Sequence, residues 1–234
     1  MTKQHDVIIA CDFSSQQQTL DFLSRFGSRR PFVKIGMELF YAEGPSIVRA
    51  LKERGHQIFL DLKLHDIPTT VKKAMAVLAQ LEVDMTNLHA AGTRAMMEAA
   101  VEGLTRPDGS RALLIAVTQL TSTDQQRMTD ELLIDKPLEE VVRRYAQNAR
   151  AAGLDGVVCS PLESPTVHAN CGGDFLTVTP GVRFADGDVG DQARIATPAL
   201  AKELGSDFIV VGRPITKADD PLAAYERCLA EFVG

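Results

Sequence analysis

Short runs of apolar residues, rich in Val and Ile, recur along the whole chain, and between them lie longer stretches with the apolar periodicity of helices. The short runs predict strands over 7–11, 32–36, 57–62, 84–89, 112–118, 156–159, 175–179 and 208–212. The longer stretches predict helices over 16–26, 44–54, 69–81, 94–104, 138–152, 194–204 and 221–232, several with Ser, Thr, Asp or Pro near the start. Strand then helix is the order that joins parallel strands through crossovers. Runs such as Val7-Ile8-Ile9-Ala10 and Phe208-Ile209-Val210-Val211 are apolar without alternation, as strands covered on both faces are. Eight units in 234 residues approach the size of a closed (β/α)8 TIM barrel, with an open doubly wound sheet as the alternative. No linker, low-complexity tract or charge block divides the chain, so residues 1–234 read as a single domain.

Composition narrows the class of protein. With 45% hydrophobic and 24% charged residues the chain is an ordinary globular sequence, which excludes disorder, collagen and a disulfide miniprotein. A net charge of -6 gives no general pull toward nucleic acid, although a local basic pocket can still hold a small anion. Cys11, Cys159, Cys171 and Cys228 lie far apart without CxxC spacing, so neither zinc nor a disulfide frame is expected, only buried or half-buried thiols in a reducing compartment. No apolar run approaches the roughly 18 residues needed to span a bilayer, so the reading is a soluble cytoplasmic protein with no membrane or nucleic-acid partner.

In a barrel the active face lies at the C-terminal ends of the strands, where Asp12, Lys34, Asp61, Lys63, His89, Thr118 and Arg213 all fall. The densest group is Phe59-Leu60-Asp61-Leu62-Lys63-Leu64-His65-Asp66-Ile67-Pro68. Period-two geometry aims Asp61 and Lys63 to one side and Leu60, Leu62 and Leu64 to the other. Lys34 would stand beside Asp61 if the second and third strands are neighbours, and Asp66 would open the next helix. Exposed ion pairs contribute only about 0 to 1 kcal/mol and buried ones often fail to recover their desolvation cost. Stability alone is therefore a poor reason for this cluster, and chemistry is the better one.

The stretch from Asp61 to Pro68 resembles the DxKxxDIP signature of the orotidine 5'-monophosphate decarboxylase family. The resemblance runs the length of the chain: Ala10-Cys11-Asp12, Lys34-Ile35-Gly36, Thr118-Gln119-Leu120-Thr121-Ser122, Thr179-Pro180-Gly181-Val182-Arg183 and Val211-Gly212-Arg213-Pro214-Ile215 follow in the family's order. It implies conversion of orotidine 5'-monophosphate to uridine 5'-monophosphate and carbon dioxide, the last step of UMP biosynthesis, without metal or organic cofactor. Lys63 would protonate pyrimidine C6, with Asp61 and Asp66 near the departing carboxylate. Asp12 and Lys34 would hold the ribose hydroxyls, Lys34 also serving as charge partner of Asp61, Thr121 and Ser122 would meet the base, and Pro180 would belong to the substrate-binding set. The resemblance further implies a homodimer in which Asp66, Ile67 and Thr70 complete the partner's site.

Gly212-Arg213 after an apolar last strand suits a phosphate, held by backbone N–H groups and a guanidinium. The Gly- and Asp-rich stretch 180–192 lacks periodicity and has the profile of a closing loop. By resemblance it carries Arg183 to the phosphate and Gln192 between phosphate and base. His65 and His89 read as structural histidines, Met96 and Met97 as packing, and Asp124 and Asp130 as solvent-facing. Two rivals stay open. A related magnesium-dependent decarboxylase of 3-keto-L-gulonate 6-phosphate shares Asp-x-Lys-x-x-Asp, but offers a glutamate to the metal where this chain has Lys34. A non-catalytic nucleotide sensor would use the same phosphate grip, yet would not call for Lys63 beside two acids.

Overall fold

The computed structural model describes residues 5–185 and 196–234. In chain order the elements are β1 (Asp6–Ala10), α1 (Gln16–Ser24), β2 (Phe32–Ile35), α2 (Met37–Glu43), α3 (Pro45–Glu53), β3 (Ile58–Leu64), α4 (Pro68–Ala79) and β4 (Met85–His89). There follow α5 (Thr93–Leu104), β5 (Leu113–Val117), α6 (Gln125–Asp130), α7 (Leu138–Ala151), β6 (Gly156–Val158), α8 (Ser164–Cys171) and β7 (Leu176–Thr179). The chain closes with α9 (Pro198–Glu203), β8 (Phe208–Val211), α10 (Arg213–Thr216) and α11 (Pro221–Phe232). Each strand pairs in parallel with the next and β8 returns to β1, closing the (β/α)8 barrel and excluding the open sheet.

Alternation along the strands divides the core in two. Ile8, Phe32, Phe59, Met85, Ile115, Val178, Phe208 and Val210 fill the barrel interior. Their neighbours Val7, Ile9, Val33, Ile35, Ile58, Leu60 and Ile209 face outward into the larger core under the helices. Both sides of each strand are thus dry, which is why the apolar runs do not alternate with polar residues. The four cysteines are buried, and Met96 and Met97 are fully buried, as expected of packing residues.

The N-terminal ends of the strands are pinned by a repeated device. Asp84, Asp155 and Asp207 each precede an even-numbered strand and accept the backbone N–H of Ile58 (2.8 Å), Leu114 (2.7 Å) and Thr177 (2.8 Å) on the strand before it. Hydrogen bonds to a charged group contribute about 1.5 to 3 kcal/mol each, so these acids tie β3 to β4, β5 to β6 and β7 to β8.

Helices differ from the sequence expectation in four places. Residues before 44 form α2, separated from α3 by Gly44, whose φ of 63° turns the chain between the two helices. α6 starts from Asp124, whose carboxylate accepts the Arg127 N–H, so this acid is a helix cap besides facing solvent. α8 follows a short turn that begins at Pro161, carries Pro165 in its own first turn, and has too few apolar positions to show a period. The helix expected over 194–204 begins at Pro198, because the Thr197 hydroxyl caps it by accepting the Leu200 N–H.

Candidate active site

The C-terminal ends of β1, β2 and β3 carry one continuous chain of alternating charge. Lys34 Nζ lies 2.9 Å from Asp12 Oδ1 and 3.3 Å from Asp61 Oδ2. Lys63 Nζ lies 2.6 Å from the other Asp61 oxygen. Asp12 is exposed at 62%, whereas the side chains of Lys34 (12%), Asp61 (10%) and Lys63 (25%) are largely withdrawn from water. Burial works against ionisation of Asp61, but the ammoniums of Lys34 and Lys63, with hydrogen bonds from Lys63 and Asn87, hold it below the usual carboxylate range. Burial likewise opposes charge on Lys34, and the carboxylates of Asp61 and Asp12 outweigh it and raise Lys34 above an ordinary lysine. The group is charged on both sides and closely compensated.

Its geometry comes from an irregularity in β3. Leu60 pairs with Thr86 of β4 and Leu64 pairs with Leu88, so three residues of β3 stand opposite the single residue Asn87. This is a bulge, and within it Lys63 adopts a left-handed φ of 52°. Such a conformation costs a non-glycine residue on the order of 1 to 3 kcal/mol and persists only where its surroundings enforce it. The Asp61 and Lys63 side chains still share the pocket side, as expected, while Leu60 and Leu62 pack into the outer core.

Lys34, Asp61 and Lys63 line a cavity of about 190 Å³ at the barrel mouth. Its other walls are mostly apolar: Phe59, Val117, Leu120, Val158 and Val210, with Thr121 and Pro180 at the edge. The room suits one flat ring with its substituents. Ser122 is exposed beside this pocket rather than in its wall, with its carbonyl accepting from Arg127. A second, larger cavity of about 890 Å³ is lined by Arg183, Arg213, Lys217 and Arg227. Arg183 is buried, and its guanidinium donates to the Val182 carbonyl at 2.8 Å. Gly212 follows β8 and leads directly into Arg213 at the start of α10. Gln192 and most of the expected closing loop lie outside the described residues.

Asp66 is exposed and does not line its own chain's pocket. It stands two residues ahead of α4 rather than at its first turn, with its carboxylate accepting the Ile67 N–H at 2.7 Å. Ile67 is 66% exposed, and Asp66 and Thr70 face an outer groove with Met37 and Tyr41. His65 and His89 stack with ring centroids 5.6 Å apart. Burial, reinforced by His65 and Lys63, lowers the pKa of His89 and favours its neutral form. Among the described residues, no three His, Cys, Asp or Glu side chains converge to hold a metal ion.

Asn87, Gln119 and Cys159 also line this pocket, although the sequence marks Cys159 only as a thiol and gives Asn87 and Gln119 no role. Gln119 lies within the stretch from Thr118 to Ser122, and Asn87 stands in a strand that is buried as far as Leu88. A buried amide in such a strand is the signal that points to it.

A closed barrel with a largely buried lysine–aspartate chain on one part of its rim and an arginine-lined cavity on another is the architecture of a (β/α)8 barrel enzyme. The chain matches the profile of the orotidine 5'-phosphate decarboxylase / HUMPS family over residues 5–228, and it belongs to that family. It is 57% identical over 230 residues to an orotidine 5'-phosphate decarboxylase of Geobacillus sp. (strain WCH70), covering 97% of this chain and 96% of that one. It is 56% identical over 231 residues to one of Bacillus mycoides (strain KBAB4), covering 97% of each. Among solved structures it resembles orotidine 5'-phosphate decarboxylase from Lactobacillus acidophilus, with a TM-score of 0.88, 44% identity, and coverage of 99% and 100%. It also resembles an uncharacterized conserved protein from Geobacillus kaustophilus, with a TM-score of 0.86, 50% identity, and coverage of 97% and 99%.

Proposed function

We propose that this chain decarboxylates orotidine 5'-monophosphate to uridine 5'-monophosphate and carbon dioxide, the last step of UMP biosynthesis, with Lys63 delivering the proton to C6 and no metal or organic cofactor taking part. The observation that carries this reading is Lys63 Nζ, held 2.6 Å from a buried carboxylate on the wall of a mostly apolar, ring-sized pocket. When the bond from C6 to the carboxyl carbon breaks, its electron pair stays on C6 in the plane of the ring, where the π-system cannot absorb it. An ammonium fixed in a dry site stabilises that charge and then gives up a proton to it, leaving a neutral amine that regains its proton from solvent. An arginine would be a reluctant acid in the same place.

Magnitudes limit what Lys63 does alone. Enzymes supply up to roughly 23 kcal/mol in demanding reactions, whereas one well-placed donor supplies about 3 to 4. Binding energy from the phosphate is the natural source of the remainder, used to order the site. In this reading Arg183, Arg213, Gly212 and Gln192 hold the phosphate, Asp12 and Lys34 the ribose, and Thr121, Ser122 and Pro180 the base. Asp66, Ile67 and Thr70 serve the site of a second copy. The exposure of Asp66 and Ile67, and the absence of Asp66 from its own pocket, support that dimer. We take the chain to work as one domain, in the cytoplasm; no helix among the described residues is long and apolar enough to cross a membrane.

The magnesium-dependent alternative is disfavoured by Lys34, whose ammonium already bridges Asp12 and Asp61, the two carboxylates a cation would need. The test follows loss of orotidylate absorbance with protein treated with EDTA. Turnover is expected, together with its near-complete loss in Lys63→Ala, which still binds uridylate. Turnover only after adding magnesium would favour the metal-dependent reaction, and none at all would favour a sensor. Near-normal turnover in Lys63→Ala would remove the proton-donor assignment.

A further inference from the structure

We infer that Asn87 is a positioning residue for the proton donor: its side-chain amide replaces the missing strand partner at the β3 bulge and locks Lys63 and Asp61 to each other. This rests on the catalytic reading of Lys63 above.

The bulge creates the need. With Asp61, Leu62 and Lys63 all opposite one residue of β4, the regular ladder cannot satisfy every backbone group in that stretch. The Lys63 N–H is satisfied by a side chain instead, donating to Asn87 Oδ1 at 2.8 Å. The other arm of the same amide turns to the carboxylate: Asn87 Nδ2 donates to Asp61 Oδ1 at 2.7 Å. That oxygen is also the one bound by Lys63 Nζ at 2.6 Å. A closed circuit results, running from the Lys63 backbone through Asn87 and Asp61 to the Lys63 ammonium.

The residue type fits this task narrowly. One planar group must accept from a backbone N–H and donate to a carboxylate at the same time, which an amide does and a carboxylate or an alkyl group does not. Asn87 is 1% exposed and stands in the pocket wall, so bulk water does not substitute for either arm. The amide also holds Lys63 in its left-handed conformation, φ 52°, which sets the direction in which the side chain leaves the strand. Loss of the clamp frees both the backbone and the acid that aim Nζ, and a misplacement of 1 Å near reacting atoms can cost about 100-fold in rate.

The test compares the parent with Asn87→Leu, which keeps the bulk, and Asn87→Ala, which leaves room for water. Both should lose roughly 100-fold in kcat with KM and uridylate affinity changed less than about threefold, the split expected when only the reacting geometry suffers. A folded variant that keeps kcat within about threefold of the parent would overturn the inference, as would a rise in KM with kcat unchanged, which marks simple pocket packing. Amide hydrogen exchange at Lys63 supplies a readout independent of turnover: protection in the parent and its loss in Asn87→Ala are expected, and equal exchange in both would overturn the clamp. A parent that turns over no orotidylate sinks the catalytic reading and this inference together, whereas an active parent with an equally active variant sinks only the role of Asn87.

Discussion

Replacing Asp61 by Asn keeps the shape of the side chain and removes the charge that two ammoniums share. In the parent, Lys63 Nζ sits 2.6 Å from one carboxylate oxygen and Lys34 Nζ 3.3 Å from the other, all three side chains at most a quarter exposed. Breaking a buried ion pair by removing one partner costs about 3 to 5 kcal/mol, because the remaining charge is left uncompensated. Lys34 keeps Asp12 at 2.9 Å and Lys63 is more exposed than Lys34 or Asp61, so the lower end, about 3 kcal/mol, is expected. At roughly 2 to 4 °C per kcal/mol for a protein of this size, the melting temperature should fall by about 6 to 12 °C. The loss should also depend on pH. In the parent Lys34 is raised above an ordinary lysine, so its contribution is complete below the unfolded pKa and is lost only as pH climbs through the higher folded value. In Asp61→Asn, Lys34 keeps its burial but loses the larger of its two carboxylate partners, and its folded pKa drops. The variant therefore regains stability as pH rises through that lowered value, and the gap to the parent narrows between about pH 7 and about pH 10. Urea unfolding at both pH values and one protein concentration measures it. A variant as stable as the parent at neutral pH, or a gap that does not change with pH, would refute the account of a compensated buried chain.

Three further outcomes follow from named contacts. Arg213→Ala should weaken uridylate binding by about 10- to 100-fold, the cost of about 1.5 to 3 kcal/mol for a charge-assisted hydrogen bond, and leave uridine binding unchanged; equal weakening of both by calorimetry would count against a phosphate role. Gly103→Ala should destabilise by about 1 to 3 kcal/mol, because its Cβ would lie 2.1 Å from the Lys72 carbonyl oxygen of α4, and backbone cannot swing aside; an unchanged melting temperature would mean that α4 and α5 separate freely. Asp61, with its folded pKa depressed, contributes stability above the ordinary carboxylate pKa and loses it only as pH falls through the lower folded value. A carbon-13 titration should accordingly find its carboxylate still mostly ionised at about pH 4, and a half-titration point at or above that pH would contradict the charge arrangement.

The barrel was legible because its strands are dry on both faces: unbroken runs such as Phe208-Ile209-Val210-Val211 announce themselves without any knowledge of neighbours. The charges at their ends were legible for the same reason, since Asp61 and Lys63 interrupt such a run just where a barrel opens to solvent. What escaped is whatever depends on register. Nothing in the residues around Lys63 indicates that β3 bulges against β4, so the left-handed backbone and its clamp by Asn87 appear only once the two strands are paired. Short helices escaped for a local reason. α2 has no side-chain cap at Gly36 and shares Gly44 with α3, so its start carries none of the usual hydroxyl or carboxylate signals. The position of Asp66 outside its own pocket was likewise invisible to strand periodicity, which reaches Lys63 but not the turn that follows.

The lysine–aspartate chain hangs on β1, β2 and β3, whereas Arg183 and Arg213 follow β7 and β8. On the proposed reading, handle and blade are mounted on separate staves of the same cask. A lineage can re-tool the staves that cut while leaving the grip untouched, or retune the grip for a different tail without dulling the edge. Diversification on this scaffold should accordingly proceed piecemeal, with new reactions arising on molecules that still carry the old anionic tag.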